Sequence, residues 1–306
     1  MDDGGGRFEW AGGGMRLSRK WRGHDARLVP DAGARPSRRV TVEGEDFDVV
    51  RMGRGDPLVV VPGLAGGWRL TTPLLRALAR RFQVFSYDLR GERPFGAGPL
   101  GATRTPYVEI GRHAADLAAL IERLGLERPT VLGVSFGGAI ALELAVEHPR
   151  ALDALIVQGM EPKFRATTAS AIVRHVLERY APPPDSPFIN QFLNLLYAKK
   201  PEPGPAHDLI VDRIWRTPRI VTAHRLAQLE QFDVTDRLWR LEAPTLVVAG
   251  AKDAIIPASR QKRLAQEISG ARFESIEGAG HVAFITHADA MAAQVQAHLE
   301  RVKTHV

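Results

Sequence analysis

The sequence predicts an α/β fold in which a mostly parallel central sheet is flanked by helices and carries an inserted helical lid. Three observations predict this fold. From Arg39 onward, short β-branched runs alternate with helical patterns, which is the order expected of a parallel sheet covered by helices. A G-x-S-x-G pattern lies between a predicted strand and a predicted helix. Between residues 161 and 222 the strand pattern stops, and helical stretches lie between clustered prolines.

The first half of the chain supplies most of the predicted strands. Val40–Val42 and Phe47–Arg51 form a predicted hairpin around Gly44. Leu58–Val61 is a continuous apolar run that ends at Pro62, which suits a buried central strand. The elements that follow are a strand at Gln83–Ser86, a helix over 112–124, a strand at Thr130–Val134, a helix at Phe136–Glu147 and a strand at Leu152–Gln158.

The second half contains the predicted insertion and the end of the sheet. After it, the pattern resumes with a strand at Thr245–Ala249, a helix over about 259–268, a strand near Phe273–Ile276 and a closing helix from about Ala288. We therefore expect a flexible N-terminal segment at 1–39, an α/β core at 40–160 and 223–306, and a helical lid at 161–222.

Composition and charge narrow the classes of function. The 306 residues are 44% hydrophobic and 25% charged, which is enough apolar material for a sizeable core. The net charge of +6 comes mostly from residues 1–40, which hold nine basic and five acidic residues among glycine runs. We interpret them as a solvated tail rather than an anchor, and infer no nucleic-acid or membrane partner. With no cysteine, membrane span or secretory signal in the pattern, the expected location is cytoplasmic.

The strongest motif is Gly133-Val134-Ser135-Phe136-Gly137, which fits a nucleophile turn. A serine in so sharp a strand-to-helix turn projects its hydroxyl above the sheet edge, and small neighbours let the backbone fold tightly. The alternative is a glycine-rich turn with an idle serine. The strand-turn-helix setting favours Ser135 as the nucleophile.

A serine hydroxyl needs a base that removes its proton, and His281 is the predicted base. It follows Gly278-Ala279-Gly280, in a loop between the last predicted strand and the closing helix, from which it can reach over the sheet edge. His287 is the close rival, although it lies near the start of that helix. The other histidines considered fall in predicted helices or chain ends and are His24, His113, His148, His175, His224 and His305.

The carboxylate that orients the base should lie between serine and histidine in chain order, and Asp253 does so. It follows the predicted strand at Thr245–Ala249 and so emerges at the carboxyl edge of the sheet, where open α/β proteins place their sites. The alternative is a turn-forming aspartate. Glu161, just after the strand that ends at Gln158, is the second choice of acid.

Two main-chain N–H groups are expected to bind the oxyanion that forms during acyl transfer. Phe136, directly after the serine, supplies one, and Leu64, in the Gly-rich loop after Leu58–Val61, supplies the other. A phosphate cradle is the competing hypothesis for this loop, but neither G-x-x-x-x-G-K-[ST] nor G-x-G-x-x-G is present. No motif predicts a metal ion or a cofactor.

From about Val40 to its end the chain resembles the lid-bearing α/β-hydrolase superfamily of esterases, haloperoxidase-like perhydrolases, lactonases and carbon–carbon bond hydrolases. Besides the serine turn, Asp88-Leu89-Arg90-Gly91 matches the family's D-x-R-G turn, and Glu242–Gly250 matches its approach to the acid. The resemblance implies this fold and a serine hydrolase activity.

The sequence departs from the family pattern at three places. Pro62 stands where a histidine usually precedes the oxyanion glycine, and Glu92-Arg93-Pro94 replaces the small glycine-containing turn after D-x-R-G. The glutamate often found a few residues after the histidine is replaced near Thr286. These changes affect the substrate pocket and its support more than the three catalytic candidates.

The predicted substrate is a small molecule with an apolar acyl or aromatic group. Its pocket is expected between the sheet edge and the lid, at Trp68, Phe188, Phe192 and Trp215. Apolar residues at helical spacing in the lid are, however, also typical of a helix that simply packs against the core. A carboxylester hydrolase is the leading hypothesis. A lactonase or carbon–carbon hydrolase would use the same residues. A perhydrolase would transfer the acyl group to peroxide and an acyltransferase to an alcohol, instead of to water. A non-catalytic receptor remains the alternative from another class of function. The sequence leaves the oligomeric state open.

Overall fold

A single eight-stranded sheet organises the described part of the chain. The computed structural model describes residues 37–92, 107–180, 186–198, 204–214 and 217–304, all within the compact unit Gly33–Val306. Of the predicted flexible segment 1–39, residues 1–36 lie outside the described residues. The first strand begins at Arg38, two residues before the predicted start of the core.

The strands confirm the predicted mostly parallel sheet. Their order across the sheet is β1-β2-β4-β3-β5-β6-β7-β8, with β2 antiparallel to both of its neighbours and every other pairing parallel. The strands are β1 (Arg38–Val42), β2 (Glu45–Met52), β3 (Pro57–Val61), β4 (Gln83–Tyr87), β5 (Thr130–Val134), β6 (Ala154–Gln158), β7 (Thr245–Gly250) and β8 (Arg272–Ile276).

Eleven α-helices are described around this sheet. Two short 3₁₀ segments, Pro149–Ala151 and Thr235–Arg240, accompany them. The helices are α1 (Gly67–Leu70), α2 (Thr72–Leu78), α3 (Ile110–Arg123), α4 (Phe136–Glu147), α5 (Thr168–Arg179), α6 (Pro187–Tyr197), α7 (Pro205–Ile214), α8 (Arg219–Gln231), α9 (Ala258–Glu267), α10 (Ala283–Thr286) and α11 (Ala288–Thr304).

The central strands are buried on both faces, which explains why their sequences are continuous apolar runs. Successive side chains of β3 point to opposite faces: Val59 and Val61 pack on the side of α3 and α4, while Leu58 and Val60 pack on the side of α2 and α11. Each such side chain contributes about 1.5–3 kcal/mol on burial. The two apolar layers fix the sheet and therefore the loops at its carboxyl edge.

The predicted lid region contains α5, α6 and α7 and the start of α8. Ser186 caps α6 by accepting a hydrogen bond from the Ile189 N–H, and Pro187 occupies the first helical turn. Pro218 precedes α8, which then runs unbroken to Gln231, so the expected boundary at residue 222 falls inside a helix. Among the described residues, no helix combines the length and apolar character that crossing a bilayer requires.

Candidate active site

Ser135 occupies the sharp turn between β5 and α4, with φ 52° and ψ −120°. A positive φ is uncommon for a residue with a side chain, and strain of this kind concentrates at functional sites. The tight turn requires glycine on both sides: a Cβ at Gly133 would overlap the Gly137 carbonyl, and a Cβ at Gly137 would overlap the carbonyl oxygens of Val61 and Pro62. The backbone thereby fixes the hydroxyl at the carboxyl edge of the sheet.

The structure brings Ser135, His281 and Asp253 into one hydrogen-bonded series. His281 Nε2 lies 2.9 Å from Ser135 Oγ, and His281 Nδ1 lies 2.8 Å from Asp253 Oδ2. Because a carboxylate accepts hydrogen bonds and does not donate them, Nδ1 donates to Asp253 and Nε2 is left to accept from the serine hydroxyl. Asp253 and His281 are both buried, while Ser135 is half-buried.

Asp253 is held by main-chain and carboxamide donors. Its Oδ1 accepts hydrogen bonds from the N–H groups of Ile255 and Ile256, both at 2.9 Å. Its Oδ2, which faces His281, also accepts from Gln261 Nε2 at 3.1 Å. Gln261 in turn donates to the Ile256 carbonyl and accepts from the Gly159 N–H at 2.9 Å. This carboxamide therefore joins the loop after β7 to the residue that follows β6.

The loop that carries His281 is packed from both sides. Gln158 Nε2 donates to the His281 carbonyl at 3.0 Å. A Cβ at Gly280 would overlap the backbone of Leu196 and Tyr197 at the end of α6, and the Val282 N–H donates to the Leu196 carbonyl at 3.3 Å. The insertion thus rests directly on the loop of the candidate base.

The two rival residues have other partners. Glu161 is buried; its Oε1 accepts from the Arg165 N–H and lies 3.4 Å from Arg260 Nη1. His287 Nδ1 lies 2.8 Å from Thr286 Oγ1. Neither contact includes the Ser135 hydroxyl or the Asp253 carboxylate.

The loop after β3 passes directly over the serine turn. A Cβ at Gly63 would lie 3.6 Å from Ser135 Cβ, which places the backbone next to Leu64 in contact with the nucleophile turn. Leu64 is half-buried, and Phe136 is buried at the start of α4. Both residues chosen as oxyanion donors therefore flank Ser135.

Three further polar residues lie behind this loop. Arg225 Nη1 donates to the Leu64 carbonyl at 2.7 Å and to Glu92 Oε1 at 2.6 Å. Thr217 Oγ1 accepts from the Gly66 N–H at 2.8 Å and donates to Glu92 Oε2 at 2.6 Å. Of these, only Glu92 was noticeable in the sequence, because it replaces the small turn that usually follows D-x-R-G in the family. Arg225 and Thr217 lie 133 and 125 residues away from Glu92 in the chain, so the sequence did not indicate that they contact it.

Burial changes the proton affinity of two groups close to this loop. Burial, and then the neighbouring carboxyl group of Glu92, raise the pKa of Asp88 to about 8, against the opposing effect of Arg69. Burial, and then the positive charges of Arg225 and Arg90, hold the pKa of His113 well below its usual value. The ring of His113 packs edge-on against the ring of Phe136, at a centroid distance of 5.6 Å.

The residues predicted to line the pocket lie where α1 and α6 meet the core. Trp68 on α1 is 6% exposed, with the Arg69 guanidinium 4.3 Å from its ring centroid. Phe188 and Phe192 on α6 are half-buried and pack against the apolar cluster that contains Trp68. Trp215 lies outside the described residues. Within the described ranges, no group of three or more His, Asp or Glu side chains is arranged to hold a metal ion.

Comparisons with known protein sequences return hydrolases and one larger enzyme. The family model described as alpha/beta hydrolase fold matches residues 56–288. The polyketide synthase ThaQ of Burkholderia thailandensis is 29% identical over 264 residues, which cover 84% of this chain but only 12% of the synthase. RutD of Klebsiella pneumoniae, named for a proposed carbamate hydrolase activity, is 28% identical over 241 residues, which cover 77% of this chain and 88% of RutD.

Among solved structures, a thermophilic esterase from Thermogutta terrifontis superposes with a TM-score of 0.72 at 25% identity. The superposition covers 87% of this chain and 99% of the esterase. The fold and the arrangement of elements are therefore shared over nearly the whole of that enzyme.

Proposed function

Because the chain belongs to the α/β-hydrolase family, we propose that it is a serine hydrolase that cleaves a carboxylic ester or a related acyl bond. Ser135 is the nucleophile, His281 the base, and Asp253 the carboxylate that orients the base. The observation that carries the proposal is the unbroken series from Ser135 Oγ through the His281 ring to Asp253 Oδ2, with steps of 2.9 and 2.8 Å.

In the first half of the reaction, Ser135 Oγ forms a bond to the carbonyl carbon while His281 Nε2 takes the hydroxyl proton. Asp253 stabilises the imidazolium that results, because its Oδ2 already accepts the hydrogen bond from Nδ1. The imidazolium then gives its proton to the leaving oxygen as the carbon–oxygen bond breaks. The acyl group remains on Ser135.

The negative charge that develops on the carbonyl oxygen is bound by the N–H groups of Leu64 and Phe136. The support for this assignment is that both residues flank Ser135 and that the loop backbone contacts the serine turn at Gly63. Preorganised donors of this kind are typically worth about 10²–10³ in kcat each. In the second half, His281 removes a proton from water, whose oxygen attacks the acyl carbon. The bond from that carbon to Ser135 Oγ then breaks, the imidazolium gives its proton to Oγ, and the acid is released.

The insertion is proposed to act as a lid that forms one wall of the substrate pocket. The contact of α6 with Gly280 supports this, because it places the insertion beside His281. Trp68, Phe188 and Phe192, together with Trp215, are proposed to contact an apolar acyl or aromatic group of a small-molecule substrate. Phe188 and Phe192 are each only partly buried.

A carbamate is a second candidate substrate, and the similarity to RutD is the observation that favours it. Its carbonyl carbon would be attacked by the same serine, with the same oxyanion donors. A lactone or a carbon–carbon bond next to a carbonyl would also use the three residues. These substrates differ in the leaving group rather than in the site.

The proposal is tested with a chain-length series of p-nitrophenyl esters and a p-nitrophenyl carbamate, using wild type and Ser135→Ala. We expect turnover in wild type that Ser135→Ala lowers to the background rate, and labelling by a fluorophosphonate only when Ser135 is present. Ser259→Ala, which removes an exposed hydroxyl on α9, is the matched control and should behave as wild type.

Equal rates in wild type and Ser135→Ala, with no labelling of wild type, would contradict the proposal and favour a non-catalytic receptor. Labelling without ester turnover would keep the nucleophile and move the substrate to a lactone or carbon–carbon bond. The chain length with the highest kcat/KM measures the depth of the acyl pocket.

A further inference from the structure

Glu92, Arg225 and Thr217 form a buried cluster directly behind the loop that crosses Ser135. The Arg225 side chain is 0% exposed and the Glu92 side chain 4%, while Thr217 is 2% exposed. Glu92 receives a hydrogen bond from each of the other two, one on each carboxylate oxygen. Both carboxylate oxygens of Glu92 and both terminal nitrogens of Arg225 are hydrogen-bonded, while Arg225 Nε has no partner among the described residues. Because removal of one partner would leave a buried charge without compensation, these contacts restrict where both side chains can lie.

The cluster holds the loop at two main-chain atoms. Arg225 donates to the Leu64 carbonyl at 2.7 Å, and Thr217 accepts from the Gly66 N–H at 2.8 Å. These atoms belong to the two peptide groups that follow the Leu64 Cα. Holding the Leu64 carbonyl restricts the ψ angle of Leu64. Because steric clashes allow only certain pairs of φ and ψ, this narrows the φ angle and with it the orientation of the Leu64 N–H.

Arg225 also reaches the other side of the serine. Its guanidinium carbon lies 6.0 Å from the centre of the Phe136 ring, and its Nη2 donates to the Arg90 carbonyl at 2.8 Å. One guanidinium therefore contacts the residues that carry both proposed oxyanion donors. Lysine has neither the planar shape nor the number of donors for these contacts.

We propose that Glu92, Arg225 and Thr217 are positioning residues that hold the Leu64 N–H in the orientation needed to bind the oxyanion. The inference rests on the proposed serine hydrolase function and extends it. Thr217 lies inside the predicted lid at 161–222 and Arg225 lies beyond it on α8, so both the predicted lid and α8 would contribute to transition-state binding. Their proposed role is to position the loop rather than to bind the substrate.

The test uses Thr217→Val and Glu92→Gln, two changes that preserve shape. Valine removes the acceptor of the Gly66 N–H, and glutamine removes the charge that holds Arg225. We expect each variant to lower kcat on the best p-nitrophenyl ester by about 10- to 100-fold, with KM within about 3-fold of wild type, because the lost contact matters most in the transition state. Rates are divided by the concentration of active sites, which is titrated with the fluorophosphonate. A fraction of unfolded protein therefore does not lower the kcat that is compared.

A second readout isolates oxyanion binding. A trifluoromethyl ketone forms a hemiketal when Ser135 Oγ adds to its carbonyl carbon, the proton moves to His281 and the negative charge stays on oxygen. Its inhibition constant should rise in both variants by the same factor as kcat/KM falls. The corresponding methyl ketone forms little hemiketal, so its inhibition constant should stay at the wild-type value.

The matched controls are Thr245→Val and Glu143→Gln. Thr245 is also buried and donates one hydrogen bond, to the Ala243 carbonyl at 2.8 Å, at the start of β7. Glu143 forms an ion pair with Arg237 at 2.7 Å on the outer part of α4. Both controls should keep the wild-type kcat per active site and the wild-type inhibition by the trifluoromethyl ketone.

Three results would overturn the inference, and they are distinguishable. Wild-type kcat per active site and unchanged trifluoromethyl ketone binding in Thr217→Val and Glu92→Gln would overturn the positioning role alone. Equal losses in the two controls would assign the effect to general destabilisation. Absence of Ser135-dependent turnover and labelling in wild type would overturn the proposed function and this inference with it. If Glu92→Gln does not fold, Thr217→Val decides the question.

Discussion

The two sides of Ser135 are built from different kinds of side chain. One side carries Asp253 and His281 and is called the acid–base side. The groups that hold these two residues are main-chain amides and the neutral carboxamides of Gln158 and Gln261. On the oxyanion side, the loop is held by the buried ion pair of Arg225 and Glu92. Both sides are almost completely buried.

The difference follows from what each side does in the proposed reaction. His281 must gain and lose a proton, and a permanent charge beside Asp253 would bias that exchange. The oxyanion donors gain no proton, so an ion pair near them does not bias a proton transfer. The comparison teaches that neutral supports hold the groups that exchange protons, while an ion pair can hold a loop whose donors keep theirs.

The largest expected effect is on the acid–base side, in Asp253→Asn. An amide at 253 can donate to His281 Nδ1 and favours the tautomer whose Nε2 carries the proton, which cannot accept from Ser135. We expect kcat/KM on the best ester to fall by about 10⁴-fold, the loss that this substitution causes in a Ser-His-Asp enzyme. Steady-state kinetics at constant pH measure it.

Glu161→Gln is the control for that prediction, because Glu161 is the other buried carboxyl group considered as the acid. It should change kcat/KM by less than about 10-fold, since Glu161 binds Arg260 and the Arg165 N–H instead. A larger loss in Glu161→Gln than in Asp253→Asn would reverse the assignment of the acid.

A smaller effect is expected from Gln261→Glu, which places a charge on the neutral side. The new carboxyl group keeps the acceptor for the Gly159 N–H, but its other oxygen faces Asp253 Oδ2 and the Ile256 carbonyl without a donor. Burial and Asp253 should raise the pKa of this group above the usual value of about 4.3. We expect kcat/KM at pH 7 to fall by about 10- to 100-fold.

The pH dependence of stability gives the second measurement on Gln261→Glu. A raised pKa in the folded state stabilises the protein at low pH and loses that contribution as pH rises. The melting temperature relative to wild type should therefore fall from pH 5 to pH 8. Gln266→Glu adds the same charge at an exposed position of α9 and should show no such fall; an equal fall in both variants would refute the argument.

The smallest effect is on the oxyanion side, in His113→Phe. Because the pKa of His113 is held below its usual value of about 6.5, the unfolded chain binds the proton first, and stability is lost as pH falls. Between pH 7.5 and pH 5.5 we expect this residue to account for on the order of 1 kcal/mol of that loss. Phenylalanine keeps the edge-on packing against Phe136 and binds no proton.

Urea unfolding at the two pH values measures the prediction for His113→Phe. The free energy of unfolding of the variant should fall by on the order of 1 kcal/mol less than that of wild type between pH 7.5 and pH 5.5. His148→Phe, which replaces an exposed imidazole at the end of α4, is the matched control and should lose as much as wild type. Identical pH dependence in wild type and His113→Phe would show that His113 is not held neutral.

Most of the fold could be predicted because its signals are local. The bounds of β5 and α4 match the prediction residue for residue, and α11 begins at the expected Ala288. In each case a continuous apolar run or a helical period ends at a glycine, a proline or a polar residue. The helices α1 and α10, each of four residues, are too short to show a period and were not predicted.

The candidate site was predictable only where a residue sits in a motif. Ser135 lies in a five-residue pattern, and Asp253 and His281 follow predicted strands at the sheet edge, so chain order was enough to choose them. Gln261 and Arg225 are single polar residues within helices, and their partners lie 102 and 161 residues away. The periodicity of a helix or strand reports only on residues close together in the chain. These long-range contacts therefore become visible only in the three-dimensional structure.

The backbone of Ser135 has a consequence for engineering. A residue with a side chain at φ 52° and ψ −120° stores roughly 1–3 kcal/mol of strain, which glycine would largely release. A screen that rewards heat resistance alone would therefore favour glycine at this position and discard the hydroxyl. Under the proposed mechanism, thermal stability and turnover make opposite demands on residue 135, so a selection for stability must be run together with a selection for activity.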